Sequence, residues 1–380
     1  MRISVRNILI AGTAIACAAI PAYAVLADPT PHVAVIAAAE NGVAGQYIVT
    51  MKHPSRVSRA IAFPTVHRFT DGFAARLTSA QLKKVQSDPD VASIEQDKIM
   101  KISASRTLAA GTTQASPTWG LDRIDEGPLP LSHTYSYTHT GSDVDAYVID
   151  TGIETTLTQF GGRADTVYGG EDCNGHGTHV AGIIGSKSYG VAKSVRLHAV
   201  QVLDCDGEGT TSDVIAGIDW VRENHAAKSV ANLSLGGSKS TALNDAVTAL
   251  SKSGVFVAVA AGNDNGDSCK DSPASAASVE AVAASSSNDT RASFSNYGKC
   301  VDIYAPGVNI KSTYQGSTAY LSGTSMASPF VAGVAALYKS TYGQATFGTI
   351  QTWLTAHANN NRIKSNKAST HNRLLYKSTL

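Results

Sequence analysis

The sequence predicts an α/β protein: a mostly parallel sheet with helices on both faces, preceded by a small α+β unit. Two observations carry that reading. From Trp119 onward, short apolar runs alternate with helical segments, the pattern of parallel strands covered on both faces. Ahead of them, a set of strand-like runs and one short helix makes a unit of roughly 60 residues, near the lower limit for a domain. Between the two, from Lys101 to Pro117, the composition shifts to Ser, Thr, Ala and Gly without periodicity, which marks a linker open to proteolysis. The 380 residues leave room for both units and an ample core.

The chain starts with a basic end (Arg2, Arg6), an apolar run from Ile8 to Ile20 and the small-residue site Ala22-Tyr23-Ala24. Met1 to Ala24 therefore reads as a secretion signal. The run is too short for a membrane anchor and contains Gly12 and Thr13. A lipid-anchored Cys17 fits poorly, given Ala14-Ile15-Ala16 before it. Export leaves Cys173, Cys205, Cys269 and Cys300, which suggests two disulfides with three possible pairings. Sequential pairing, Cys173–Cys205 and Cys269–Cys300, is favoured; each would close a loop of about 30 residues, worth roughly 3–4 kcal/mol.

In the leading unit, Gln46–Met51, Thr65–Phe69, Phe73–Leu77 and Val91–Glu95 read as strands. Thr78-Ser79 caps a short helix through Val85, with Leu82 and Val85 facing inward. In the large unit the strand-like runs are Val144–Ile149, Val195–Leu203, Val230–Leu235, Val255–Ala261, Val279–Ala284 and Val301–Tyr304. Helical runs are His179–Ile184, Ser212–Asn224, Thr241–Ser253 and Ser325–Tyr342, with Pro329 placed in the first turn of the last. Charge is nearly balanced, 31 basic against 30 acidic residues, and no basic stripe argues for nucleic acid or an anionic membrane.

Sites in such sheets form beyond the carboxyl ends of the strands. Asp150 ends the first large-unit strand, although a lone Asp there is commonly a turn residue. His176 and His179, in Asn174-Gly175-His176-Gly177-Thr178-His179, could each act as a general base. Cys173, His176 and His179 with Asp172 also suggest a metal, but the spacing matches no standard zinc motif. Asn263 follows another strand end and can donate to an oxyanion. Ser325 sits at a helix start, where N–H groups and the dipole favour a nucleophile but equally an N-cap. Ala327 stands where a G-x-S-x-G elbow needs glycine, which disfavours an esterase. The chain order Asp…His…Ser is that of subtilisin.

On these motifs (Val148-Ile149-Asp150-Thr151-Gly152, His176 to Gly182, Ala261-Gly262-Asn263, Gly323-Thr324-Ser325-Met326-Ala327) the chain resembles the subtilisin-like serine proteases, in their proteinase K and aqualysin branch. Trp119 to Ile124 and Ser293 to Gly298 add to the likeness. The resemblance implies a signal peptide at 1–24, a ferredoxin-like inhibitory propeptide at 25–109 and a peptidase domain at 110–380. It implies a secreted, monomeric serine endopeptidase acting on proteins and peptides, made as a zymogen that cuts itself between Ser103 and Thr113. Ser325 would be the nucleophile, His176 the base, Asp150 its orienting group and Asn263 an oxyanion donor. Gly207-Glu208-Gly209 and Ser234-Leu235-Gly236 would pair with substrate backbone. Ala260 and Gly262 would line a roomy, mostly apolar pocket for an apolar or aromatic residue before the scissile bond.

The resemblance further implies structural calcium at the carbonyls of Ala277 and Val279 and the carboxylate of Asp302, and at a second site using Asp122 and Asp125. Two disulfides also match aqualysin-like members. The family commonly has His where this chain has Phe330, so altered packing behind the nucleophile helix is expected. The segment joining the first two propeptide strands is shorter than usual. Two other classes compete: a non-catalytic binding protein keeping the fold, and a zinc hydrolase using His176 and His179.

Overall fold

The computed structural model describes residues 32–57, 63–102, 105–107 and 117–380. The expected signal segment lies outside them, as does most of the stretch expected to hold the maturation bond. The leading unit consists of β1 (Val35–Ile36), β2 (Gly42–Met51), β3 (Thr65–Arg68), β4 (Gly72–Arg76), helix α1 (Ser79–Gln86) and β5 (Val91–Ile102). Strands β5-β2-β4-β3 pair antiparallel, and β1 adds parallel to β5. Thr78 and Gln81 form a reciprocal capping box at the start of α1, which sets that helix where the sequence put it. Val49, Phe73, Val85 and Ile94 fill the small core behind the sheet.

Within the stretch expected to be a linker lies β6 (Ser105–Thr107), paired with a strand near the nucleophile, and beyond it come α2 (Trp119–Asp125), β7 (Asp145–Asp150), β8 (Ala164–Tyr168) and α3 (His176–Gly185). Then follow β9 (Arg196–Gln201), β10 (Glu208–Thr210), α4 (Thr211–Asn224), β11 (Ser229–Leu233), β12 (Leu235–Ser238) and α5 (Thr241–Lys252). Next are β13 (Phe256–Ala260), β14 (Asp271–Ser272), β15 (Glu280–Ser285), β16 (Ile303–Pro306) and the hairpin β17 (Ile310–Tyr314) and β18 (Ser317–Ser322). Helices α6 (Thr324–Tyr342) and α7 (Phe347–His357) and short strands β19 (Asn359–Asn360) and β20 (Arg373–Leu374) complete the chain. The expected strands and helices all form; β8, the β17–β18 hairpin, α2, α7 and the short strands β1, β6, β10, β12, β14, β19 and β20 are additional.

The main sheet runs β20-β16-β15-β13-β11-β7-β9-β8, all parallel, with β19 antiparallel at one edge. Neighbouring residues of one strand face opposite layers. Val148 packs with Val180, Ile183 and Val331 of α3 and α6, whereas Ile149 packs with Val214, Ile218 and Val247 of α4 and α5. Burial on both faces explains why these strands read as continuous apolar runs. Both disulfides pair sequentially, with Cα–Cα separations of 5.0 Å for Cys173–Cys205 and 5.3 Å for Cys269–Cys300.

Strand β5 continues to Ile102, past the expected end at Glu95, because residues 99–102 find partners in β10 and β12. Those partners lie more than a hundred positions away, so local alternation does not reveal them. The same strand docks on two helix starts. The Glu95 carboxylate accepts from the Ala242 N–H (2.9 Å) and the Ser240 hydroxyl (2.8 Å) at α5. The Asp97 carboxylate accepts from the Ser212 N–H (3.1 Å) and hydroxyl (2.6 Å) at α4. Both acids are buried, and both complement exposed N–H groups and the positive end of a helix dipole.

Phe330 is buried against α2: a Cβ added at Gly120 would lie 2.5 Å from the ring Cζ. Glycine there makes room for the aromatic ring. Gly120→Ala should therefore destabilise the protein by about 1–3 kcal/mol despite alanine's better helix propensity. Thermal unfolding of Gly120→Ala, alone and combined with Phe330→Leu, checks this; the smaller side chain should recover part of the loss.

Candidate active site

Asp150 closes β7, Ser234 follows β11 beside it, and Asn263 lies three residues past β13 on the far side of β11. The carboxyl ends of three adjacent strands thus converge, as the topology requires. Helix α3 brings His176 to the same edge. A Cβ at Gly177 would collide with the carbonyl of Gly152 and lie 3.2 Å from Asp150 Cβ, so glycine permits the close approach. His176 Nδ1 lies 2.7 Å from Asp150 Oδ1, which also accepts from the Thr151 N–H at 2.7 Å. Both side chains are buried. A carboxylate at Nδ1 places the ring proton there and leaves Nε2 as the basic nitrogen. Nε2 has no hydrogen-bond partner among the described residues.

Helix α6 begins at Thr324, so Pro329 lies in its second turn, a correction to the first-turn placement. Proline removes the N–H that would satisfy the carbonyl of Ser325. The Ser234 hydroxyl donates to that carbonyl instead (2.7 Å), while Ser325 Oγ donates to the Ser234 carbonyl (3.0 Å). Asn232 and Ser328 extend this network beneath the helix start. Asn263 Oδ1 accepts from the Thr324 N–H (2.8 Å) and hydroxyl (3.0 Å). With its oxygen so engaged, the amide turns its donor end away from Thr324.

His179 is a structural histidine. Its Nε2 lies 3.1 Å and 3.2 Å from the carbonyls of Ile310 and Ala319, and burial pushes its pKa down to about 3. Cys173 is spent in a disulfide, and no group of three or more His, Cys, Asp or Glu among the described residues could hold a metal. The zinc reading has no support left.

Beside this cluster, β5 lies between β10 and β12. Met100 and Lys101 pair with Gly209 and Glu208, Lys101 and Ile102 with Gly236 and Leu235, and the Ile102 N–H donates to the Gly207 carbonyl at 3.1 Å. The segments expected to pair with substrate backbone are thus occupied by the leading unit's last strand. A cavity of about 340 Å³ opens beside Ser325, with Leu235, Gly236, Ala260, Gly262 and Ala274 in its walls. It is less apolar than expected, because Asp264 and Asp271 line it as well. Sequence reading missed both; each looks like a loop carboxylate until the cavity is seen.

Asp302 and Val279 line a second cavity, of about 690 Å³. Burial pushes the Asp302 carboxyl up to about 6, although it accepts from the Ala281 N–H (2.9 Å). Burial, and then Asp302 itself, raise the neighbouring Glu280 well above the usual carboxylate range, and Glu280 Oε2 has no partner among the described residues. A buried and a half-buried acid side by side, with Gln351 as their shared side-chain donor, fit a hard cation. The Ala277 carbonyl accepts from the Thr248 hydroxyl at 2.9 Å. Asp122 and Asp125 have other work: Asp122 holds the backbone N–H groups of Ser132 and His133, and Asp125 holds Ser136 and pairs with buried Lys377 at 2.8 Å.

Residues 141–373 match the family model described as the subtilase family, peptidase S8. The chain belongs to the subtilase family. Residues 63–103 match a second model, peptidase inhibitor I9, so this subtilase carries an inhibitor-type propeptide ahead of its protease domain. Among its relatives is the alkaline serine exoprotease A of Vibrio alginolyticus, 42% identical over 93% of this chain and 71% of that protein. The extracellular serine proteinase of Thermus sp. (strain Rt41A) is 49% identical over 80% of this chain and 75% of its own. A solved cold adapted subtilisin-like serine proteinase superposes with a TM-score of 0.68 at 48% identity, over 69% of this subtilase and 99% of that chain. No helix among the described residues is long and apolar enough to cross a membrane.

Proposed function

We propose that this subtilase is an exported, monomeric serine endopeptidase made as a self-processing zymogen, with Asp150, His176 and Ser325 as its catalytic triad. The observation carrying this reading is the buried 2.7 Å contact of His176 Nδ1 with Asp150 Oδ1 at the strand edge where Ser325 also lies. Ser325 Oγ turns from the Ser234 carbonyl to His176 Nε2, gives up its proton there and attacks the peptide carbonyl. His176 passes that proton to the leaving amine, and water repeats the sequence to release the acyl group. The Asn263 amide and the Ser325 N–H hold the oxyanion. Export is supported by the signal-like start and by a relative named extracellular.

In the zymogen the leading unit blocks the cleft. β5 ends at Ile102 against Leu235, and β6 begins with Ser105 against Ser322, three residues before the nucleophile. That register favours Ser103–Ala104 as the maturation bond, within the expected range, with domain boundaries at about 24 and 104. After release, substrate takes the place of β5 along Gly207-Glu208-Gly209 and Ser234-Leu235-Gly236. Leu235, Ala260 and Ala274 give the pocket the apolar walls that the resemblance implies, but Asp264 and Asp271 add carboxylates to it. Labelling by a fluorophosphonate tests the reading: no adduct on Ser325 of the mature protein sinks it.

Calcium is proposed at the carbonyls of Ala277 and Val279 and at Asp302, where bound cation would supply charge to the neighbouring acids Asp302 and Glu280 and tie β15 to β16. The pairs already made by Asp125 weigh against the second site at Asp122 and Asp125. Chelation should lower the midpoint of thermal unfolding; calcium at a hundred times its dissociation constant contributes about 2.7 kcal/mol. Asp302→Asn should abolish the calcium-dependent part of the midpoint, measured by calorimetry without reference to activity.

A further inference from the structure

We infer that the cavity beside Ser325 selects a lysine or arginine side chain on the acyl side of the scissile bond, held by Asp271 with Asp264 as a second acidic group. The inference rests on the serine protease reading and names its substrate class.

Asp271 belongs to β14, which pairs with β12, the strand that flanks the cleft: Ser238 lies opposite Asp271. Its position is set from two sides. Asp271 Oδ2 accepts from Asn296 Nδ2 at 2.7 Å, and it lies 3.3 Å from where a Cβ on Gly262 would stand, one residue before Asn263. Gly262 has φ of 102°, a conformation side chains rarely adopt, so the wall between Asp271 and the oxyanion group stays open. Ser325, Ala260, Ala274 and Leu235 line the same space. A side chain entering past Ser325 thus meets apolar walls and two carboxylates in one cavity, which suits the long aliphatic stem and cationic head of lysine or arginine.

Neither carboxylate has an ion-pair partner among the described residues. Lys101 also lines the cavity, but its ammonium lies 2.5 Å from Glu208. It departs with the leading unit, as does Glu40. Burial first, and then repulsion from Asp264, push Asp271 up to about 6; the Asn296 hydrogen bond opposes them, Asp267 adds a lesser repulsion and Lys270 a lesser pull. A bound cation relieves that repulsion; a neutral aromatic side chain leaves it in place. Because the carboxyl titrates near 6, preference for a cationic side chain should be present above that pH and fade below it.

The mature enzyme, freed of its leading unit, is assayed on tetrapeptide p-nitroanilides that differ only in the last residue: Lys, Arg, Phe or Leu. Fluorophosphonate labelling comes first, so failure to label counts against the protease reading and a labelled enzyme tests the pocket alone. We expect kcat/KM for Lys at least about tenfold above Phe at pH 8, with the advantage shrinking as pH falls below 6. Asp271→Asn should lower kcat/KM for Lys roughly 30- to 100-fold and change Phe by less than about threefold. Asp264→Asn should cost Lys a smaller factor. Wild-type enzyme that favours Phe or Leu over Lys overturns the inference, whether or not the variants fold. So does an Asp271→Asn enzyme that loses Lys and Phe hydrolysis equally.

Discussion

Ser325→Ala should lower kcat by roughly 10⁶-fold, the order seen when the nucleophile of the family member subtilisin is removed. Without Oγ no acyl-enzyme can form, and the residual rate comes from binding and the oxyanion donors alone. The variant should still fold, because the Ser234 hydroxyl bond to the Ser325 carbonyl, made by the backbone, survives the loss of Oγ. A second consequence follows from the occupied cleft. The Ser325→Ala chain should remain joined to its leading unit, with Glu95 and Asp97 still seated on α5 and α4. Wild-type protein should instead mature with Ala104 as its first residue. Electrophoresis and N-terminal sequencing of the two proteins, purified in parallel, read both results. Efficient cleavage of the Ser325→Ala precursor by itself would remove the case for self-processing.

Asp150→Asn should cost roughly 10⁴ in kcat with KM changed only a few-fold. An amide nitrogen facing His176 Nδ1 donates where the ring must donate, so the ring proton moves to Nε2 and the base is lost. The pair is buried and separated by 2.7 Å, so little water is available to rescue the tautomer. Fluorophosphonate labelling of Ser325 should slow in parallel with turnover, while the thermal midpoint changes little. An Asp150→Asn enzyme with near wild-type kcat would contradict the triad assignment.

Much of this molecule was legible in one dimension because the physics is local. Buried parallel strands announce themselves as apolar runs, and Thr78 with Gln81 caps α1 through neighbours three residues apart. Asp150 and Asn263 each close or follow a strand in a topology that gathers strand ends. The four exported cysteines paired in order, as favoured. The last long helix starts at Thr324, one residue before the expected Ser325, where Asn263, sixty-one residues away, accepts from the Thr324 N–H; Pro329 falls in the second turn counted from either start.

What only the tertiary structure decided has a common cause: the partner lies far along the chain. β5 is a strand to Ile102 only because β10 and β12 flank it. Phe330 is accommodated only because Gly120, on another helix, lacks a side chain. Asp264 and Asp271 read as loop acids until folding sets them in the wall of a cavity beside Ser325. The sequence by itself determined the fold class, the four motifs and the reaction class. Spacing within a motif is set by backbone geometry over a few residues. Which charges face the substrate is set by packing between segments that no local pattern connects.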